Sequence, residues 1–177
     1  MIKNTYLQSI YETLVYLDYT DALNVLRDKL DRQIFLVGNG GSSAIASHMA
    51  NDLGKYVSEH VNRKVRAMSL TDHGAMLTAV ANDCGYNEVF VYQLENWAMP
   101  GDLLIAFSGS GNSNNIIESA QWCRHRGIHT IGVSGGGKLL TVVDTPVHVP
   151  LNDMQQLEDS FSIISHLLCK EIGCWDD

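Results

Sequence analysis

Three short apolar runs, each followed at once by glycines and serines, constrain the fold of this chain more than any other feature. The runs and their loops read QIFLV-GNGGSS from residue 33, DLLIAF-SGSGNS from residue 102 and HTIGV-SGGGKLL from residue 129. A short continuous apolar run bounded by turn residues is typical of a strand buried on both faces. Stretches with helical spacing alternate with these runs, which predicts a parallel sheet with helices on both faces.

The remaining segments complete a single α/β domain with a five-stranded sheet. Two further runs supply strands, RAMSL at 66–70 and TPVHVPL at 145–151. Helices are expected in the core at residues 42–56, 76–81, 114–126 and 153–172. The apolar spacing also predicts an N-terminal helical segment at 1–30, with a break near Asp18 to Asp21. We therefore expect one domain over residues 1–177, whose core occupies residues 31–172.

Composition argues against several classes of protein. The chain carries 20 acidic and 12 basic residues, a net charge of -8, which disfavours binding to the phosphates of nucleic acid. No apolar stretch approaches the roughly 18 residues of a membrane span, and polar residues interrupt the N-terminal sequence too often for a signal peptide. The four cysteines form no CxxC pair, as expected of reduced thiols. We therefore expect a cytoplasmic protein with no nucleic-acid or membrane partner.

The glycine- and serine-rich loops predict a site for a phosphate group. In parallel sheets, ligands bind at the carboxyl ends of the strands, where these loops are expected to meet. The segment FSGSGNS offers the hydroxyls of Ser108, Ser110 and Ser113 and the backbone N–H groups of a helix N-terminus, which favour an anion. Because few lysines or arginines lie nearby, neutral donors would hold this anion, which suits a small phosphorylated sugar. The alternative is that the loops are simply tight turns from strand to helix.

Other motifs fit the loops less well, and one pair of residues points to chemistry. GNGGSS lacks the third glycine of the G-x-G-x-x-G dinucleotide motif, and no G-x-x-x-x-G-K-[ST] loop occurs. The glycines around Ser110 lack the flanking spacing of the G-x-S-x-G nucleophile elbow, which argues against a hydrolase. His48 and Asp52 lie four residues apart on a predicted helix, so their side chains point at the same place. This pair predicts acid–base chemistry or a metal ion beside the phosphate site.

Four segments, taken together, carry a family resemblance. They are GNGGSSAIASHMANDL, TAVANDCGYNEVF, GDLLIAFSGSGNSNNIIESA and the pair Glu158 and His166. In order and spacing they resemble the phosphoheptose isomerases of the SIS (sugar isomerase) superfamily over residues 30–172. The resemblance implies a flavodoxin-like parallel sheet and a homotetramer with active sites between subunits. It also implies conversion of sedoheptulose 7-phosphate to D-glycero-D-manno-heptose 7-phosphate through an enediol, for bacterial surface heptose of lipopolysaccharide or capsule.

The resemblance assigns substrate contacts to three loops and to the last helix. These residues are Asn39, Gly40, Gly41 and Ser42, then Asn82 and Asp83, then Ser108, Gly109, Ser110 and Ser113, and finally Glu158. In the family the serines grip the sugar phosphate, and Gly109 stands where many members carry threonine. Asn82 and Asp83 are expected to contact substrate hydroxyls.

The resemblance also implies a zinc site formed by His48, Asp52, Glu158 and His166. Family members carry glutamate at the position of Asp52 and glutamine at that of Glu158. In the family, that glutamate acts as the base, and the histidine at the position of His166 acts as the acid. Asp52 is one methylene shorter than that glutamate, and residues 158 and 166 lie about 12 Å apart along an ideal helix. Glu158 is therefore a ligand only if the helix is irregular. A chain that has lost the base would instead be a non-catalytic SIS protein that binds a phosphosugar or a protein partner such as a replication initiator.

Overall fold

The structure is a computed structural model that describes residues 4–173. Its helices are α1 (Thr5–Leu14), α2 (Thr20–Asp28), α3 (Gly41–Asp52), α4 (Ser58–His60), α5 (Gly74–Asp83), α6 (Val91–Trp97), α7 (Asn114–His125), α8 (Leu139–Val142) and α9 (Met154–Gly173). Its strands are β1 (Gln33–Val37), β2 (Arg66–Ser69), β3 (Leu103–Ser108), β4 (His129–Ser134) and β5 (Thr145–His148). Among these helices, none combines the length and the apolar character that crossing a membrane requires. The expected domain and helical segment also include residues 1–3 and 174–177, among them Cys174, which lie outside the described residues.

All five strands run parallel, in the order β2-β1-β3-β4-β5. This is the flavodoxin-like order of a doubly wound sheet, which confirms the expected fold class. The chain passes from β1 to β2 on one side and then returns to β3 on the other side of β1. The carboxyl ends of β1 and β3 therefore form the crevice in which such sheets bind their ligands.

Alternate residues of each central strand are buried on opposite faces of the sheet. On β1, Ile34 and Leu36 belong to the apolar core that α2, α3 and α9 cover. Phe35 and Val37 belong to a second core, which α6 and α7 cover. All four side chains are fully buried, so the prediction of strands buried on both faces is confirmed.

Several elements differ from the sequence-based expectation. The helix expected at 42–56 is α-helical only to Asp52, and Leu53–Val57 form a π-helical turn that leads into α4. The Ser58 hydroxyl donates to the Leu53 carbonyl at 3.2 Å, five residues back, which suits this wider turn. The edge strand β5 ends at His148 rather than at residue 151. The short helices α6 and α8 are not predicted from the sequence.

The N-terminal helices and α3 hold α9 in place along the sheet. The Tyr6 hydroxyl donates to Asp159 at 2.6 Å, and the Tyr19 hydroxyl donates to Glu171. The start of α3 lies beside Glu158, and His48, further along α3, lies beside His166. Helices α3 and α9 therefore run in the same direction, away from the crevice between β1 and β3.

Candidate active site

The serine loop (residues 108–113) connects β3 to α7 at the crevice. Ser108 is buried at the end of β3 and accepts a hydrogen bond from the Gly111 N–H at its hydroxyl oxygen, at 3.1 Å. Ser113 precedes α7, and within the described part of the chain its hydroxyl makes no capping hydrogen bond. This hydroxyl can therefore donate to a ligand, next to the unsatisfied N–H groups of the helix N-terminus.

The serine loop forms one wall of a small cavity of about 120 Å³. The cavity is lined by Asn39, Ser42, Phe107, Ser108, Gly109, Ser110, Ser113, Met154 and Glu158. All of these except Phe107 and Met154 are predicted substrate residues, so the structure brings the first loop, the serine loop and the last helix together. The volume suits a phosphate group rather than a complete sugar.

Two of the predicted glycines make room for side chains of α9. A Cβ on Gly41 would lie 2.3 Å from the carboxyl carbon of Glu158, so only glycine admits that carboxylate beside the first turn of α3. A Cβ on Gly109 would lie 2.3 Å from the sulfur of Met154. Met154 thus occupies the space that a side chain at residue 109 would take. Gly40 stands at the N-cap of α3.

Asn39 lines the cavity, yet its amide is already bonded to protein groups. It exchanges two hydrogen bonds of 2.9 Å with the amide of Asn115, and its oxygen also accepts from the Tyr86 hydroxyl at 3.0 Å. This reciprocal pair ties the loop after β1 to α7 across the crevice. Asn115 and Tyr86 are not predicted from the sequence as partners of Asn39. They lie 76 and 47 residues away from it along the chain, so no local spacing pattern links them to Asn39.

Asn82 and Asp83 lie at the end of α5, exposed to solvent. The Asn82 amide donates to the Asp83 carboxylate at 2.7 Å. Among residues 4–173, the lining of the cavity does not include either of them. Their contact with substrate hydroxyls stays a prediction, although Tyr86, three residues further on, connects their loop to Asn39.

His48, Asp52 and His166 form a compact triad where α3 meets α9. The Nε2 atoms of the two histidines lie 2.9 Å apart. Oδ2 of Asp52 lies 3.3 Å from Nε2 of His48 and 3.7 Å from Nε2 of His166. The carboxylate is 19% exposed and each imidazole 56%, so the triad opens toward a ligand. Asp52 therefore reaches both imidazoles despite its shorter side chain.

The geometry of the triad fits a zinc ion. Zinc bonds of about 2.0–2.1 Å in a tetrahedral site place neighbouring ligand atoms about 3.3 Å apart, and the three separations of 2.9, 3.3 and 3.7 Å bracket that value. Two Nε2 atoms this close face each other only when one carries a proton or when both lone pairs point at a cation. Three protein ligands would leave a fourth position open, as in catalytic zinc sites.

A thiol lies close to the triad without joining it. Burial, and to a smaller extent the charge of Asp52, raises the pKa of Cys169 to about 12. The thiol is buried and, among the described residues, does not belong to the candidate metal-binding group. Cys84 and Cys123 are also free thiols.

Glu158 lies in the cavity and not in the triad. Because α9 is helical without interruption from Met154 to Gly173, eight residues separate Glu158 from His166 by about 12 Å. Over the described ranges, the candidate metal-binding group consists of His48, Asp52 and His166 alone. The structure thus divides the predicted ligand set and leaves Glu158 beside the first turn of α3, where the helix dipole favours a carboxylate.

Comparison with known proteins agrees with this arrangement. Residues 22–135 match the SIS domain family. The phosphoheptose isomerase of Aliarcobacter butzleri is 41% identical over 81% of this chain and 77% of its own length. That of Nitratiruptor sp. is 34% identical over 93% of this chain and 89% of its own length. The structure of phosphoheptose isomerase from Neisseria gonorrhoeae superposes with a TM-score of 0.86 at 28% identity, covering 95% of this chain and 92% of that one.

The family match, together with a parallel sheet of this order, identifies the class of protein as an SIS domain. The similarity covers most of the chain and most of each relative. The chain belongs to the SIS domain family and, within it, to the phosphoheptose isomerase family.

Proposed function

We propose that the protein is an isomerase that converts sedoheptulose 7-phosphate to D-glycero-D-manno-heptose 7-phosphate, for bacterial surface heptose. The observation that carries the proposal is the Asp52 carboxylate 3.7 Å from the His166 imidazole, on helices that both start at a phosphate-sized cavity. Relatives named phosphoheptose isomerase support the same reaction. The non-catalytic alternative requires a lost base, whereas Asp52 is present and in reach of both histidines.

Two side chains of the chain itself, Asp52 and His166, carry out the proton transfers. The serine loop holds the phosphate, and Asp52 removes the proton from the carbon next to the carbonyl. His166, as the imidazolium, gives a proton to the carbonyl oxygen, which produces the enediol. Asp52 then returns its proton to the neighbouring carbon while His166 takes back a proton from the other hydroxyl, which completes the aldose.

The proposal includes zinc as the metal of the triad. His48, Asp52 and His166 would hold the ion with both imidazoles neutral, and the bound ion would supply the polarisation of the carbonyl oxygen that the proton on His166 supplies in the metal-free protein. The second carboxylate oxygen of Asp52, Oδ1, accepts a long hydrogen bond of 3.5 Å from the Asn51 amide. Oδ1 therefore stays accessible for proton transfer while Oδ2 faces the histidines.

The proposal also covers assembly and location. It describes a cytoplasmic homotetramer that takes a small phosphorylated sugar and has no nucleic-acid or membrane partner. The homotetramer is supported by an apolar stripe along α1 and its C-cap, where Leu7, Tyr11 and Val15 follow at four-residue spacing and are 59%, 68% and 53% exposed. A second copy of the chain would cover such a stripe. Light scattering after gel filtration should give four times the 19.6 kDa monomer mass, and a monomer would contradict this part.

The reaction is tested by proton NMR of the purified protein with sedoheptulose 7-phosphate, with and without added zinc. We expect an aldose anomeric signal that grows with time. Asp52→Asn should lower the rate by at least about a hundredfold, since general acid–base groups contribute about 10²–10⁴. Glu59→Gln is the matched control, because Glu59 is an exposed acid on α4 that pairs with Lys55, and it should keep the wild-type rate.

A thermal-shift measurement with zinc gives a second readout that is independent of turnover. Zinc should raise the Tm of the wild type and raise it less for Asp52→Asn, because a ligand that binds only the folded state stabilises it. Absence of turnover under every condition, with the phosphosugar still raising the Tm, would instead identify a binding member of the family.

A further inference from the structure

The glycine loop (residues 134–138), which begins at the last residue of β4, packs against the serine loop. The Gly135 N–H donates to the Gly109 carbonyl at 3.2 Å, and the N–H of Leu139, just after the loop, donates to the Gly111 carbonyl at 2.9 Å. The Lys138 N–H donates to the side-chain oxygen of Asn112 at 3.1 Å. The two loops therefore form one hydrogen-bonded unit, although only the serine loop lines the cavity.

Ser134 lies at the centre of this unit. Its side chain is fully buried, and its hydroxyl oxygen lies 2.6 Å from the Ser108 carbonyl oxygen and 2.7 Å from that of Gly136. The same hydroxyl oxygen accepts from the Gly136 N–H at 3.3 Å. One buried hydroxyl thus joins the last carbonyl of β3 to the turn of the glycine loop.

All four carbonyls from Ser108 to Gly111 are engaged by protein donors. Ser134, Gly135 and Leu139 bond three of them, and the Asn112 amide donates to the fourth, that of Ser110, at 3.0 Å. This matters because a site that holds an anion with neutral donors works only when its acceptor oxygens point elsewhere. A carbonyl turned toward the cavity would repel a phosphate.

We propose that the glycine loop is a positioning element of the phosphate site, in which Ser134 holds the serine loop in its anion-binding conformation without touching the substrate. The inference rests on the proposed function only in taking the serine loop as the phosphate site. Gly137 supports it independently. With φ at 77° and an added Cβ only 2.3 Å from the Ser110 carbonyl oxygen, this position admits glycine alone. Gly136 next to it has open space around an added Cβ.

The test compares Ser134→Ala with Ser119→Ala. Ser119 is a matched control, because it is equally buried and its hydroxyl donates to the Ile116 carbonyl at 2.8 Å within α7. Calorimetry with inorganic phosphate should show an affinity about tenfold lower for Ser134→Ala and unchanged for Ser119→Ala, as expected for one lost hydrogen bond near an anion. Equal affinities for the two variants would overturn the proposal.

Steady-state kinetics with sedoheptulose 7-phosphate separate positioning from general destabilisation. Ser134→Ala should raise KM about tenfold and change kcat less than about twofold, because the phosphate is held equally before and during the reaction. A fall in kcat with unchanged KM would contradict a role at the phosphate. If the variant shows the loss of phosphate affinity but the wild type shows no turnover, the proposed reaction fails and the positioning role stands.

A second pair of variants guards against misfolding of Ser134→Ala. Gly137→Ala should weaken phosphate binding by about tenfold or more, whereas Gly136→Ala should bind like the wild type. Circular dichroism confirms that each variant is folded. A wild type that binds no inorganic phosphate, or a Gly137→Ala variant that binds it normally, would overturn the proposal.

Discussion

The carboxylate of Glu158 in the cavity gives the sharpest quantitative prediction. The cavity of about 120 Å³ corresponds to a sphere of about 3 Å radius, and polar contact with the wall adds about 3 Å, so a phosphate at its centre lies about 6 Å from a carboxylate in its wall. At that distance, and at an effective dielectric of about 40 for a partly buried group, two unit charges repel by about 1.4 kcal/mol. Glu158→Gln keeps the shape of the side chain and removes this repulsion. We therefore expect it to bind inorganic phosphate about tenfold more tightly than the wild type.

Calorimetric titration with inorganic phosphate at low salt measures this effect. Glu95→Gln serves as the control, because it also reduces the net charge of -8 by one unit but lies exposed on α6. The gain should shrink at 1 M salt, where the screening length falls to about 3 Å. Equal affinity for the two variants, or a weaker affinity for Glu158→Gln, would show that the phosphate does not occupy this cavity.

Three further predictions concern the triad and the stability of the fold. Asp52→Glu should retain turnover in the NMR assay, because the family residue has the same carboxylate, and a dead variant would show that the site is adjusted to the shorter acid. Burial alone would raise the pKa of Asp144, but hydrogen bonds from Thr130 and from an arginine hold it below 3.8. The stabilisation that this carboxylate gives the fold is therefore present above pH 3.8 and is lost as the pH falls through its lowered pKa. Asp144→Asn should cost about 1–2 kcal/mol of unfolding free energy at pH 7 and progressively less as the pH falls below 3.8. The hydrogen bond to Glu171 raises the pKa of Tyr19 to about 12, so the stabilisation of the fold by this hydrogen bond is present below pH 10 and fades as the pH rises toward 12. In Tyr19→Phe, phenolate absorbance should therefore show one fewer tyrosine that titrates late.

Much of the fold could be read from local pattern. Short apolar runs bounded by glycine and serine predict the five strands because a strand buried on both faces needs apolar residues at every position. Parallel pairing then places the loop after β1 and the serine loop at one edge of the sheet, where the structure finds Ser42 and Ser113 lining one cavity. The four-residue spacing of His48 and Asp52 likewise predicts their contact.

The parts that the sequence does not predict depend on contacts between distant residues. Asn39 appears substrate-facing from its motif, but the amide of Asn115 and the hydroxyl of Tyr86 already bond it. Glu158 and His166 lie on the same helix, and their residue types suggest a shared metal site. They are about two helical turns apart, however, so Glu158 lies in the cavity and His166 in the triad. Contacts of this kind follow from how elements pack and not from spacing along one element.

Because α3 and α9 run in parallel, the distance between the cavity and the triad is set by the helix rise and can be compared with the length of the substrate. At 1.5 Å per residue, Ser42 in the cavity and His48 in the triad lie about 9 Å apart along α3. An extended heptose 7-phosphate covers about 9 Å from phosphorus to its second carbon, at an advance of about 1.25 Å for each bond. A pentose phosphate gripped by the same loop would stop about 2.5 Å short, and a misplacement of about 1 Å already costs about a hundredfold in rate. The number of helical residues between loop and triad thus predicts a preference for sugar length, and a shift of the helix register should change that preference.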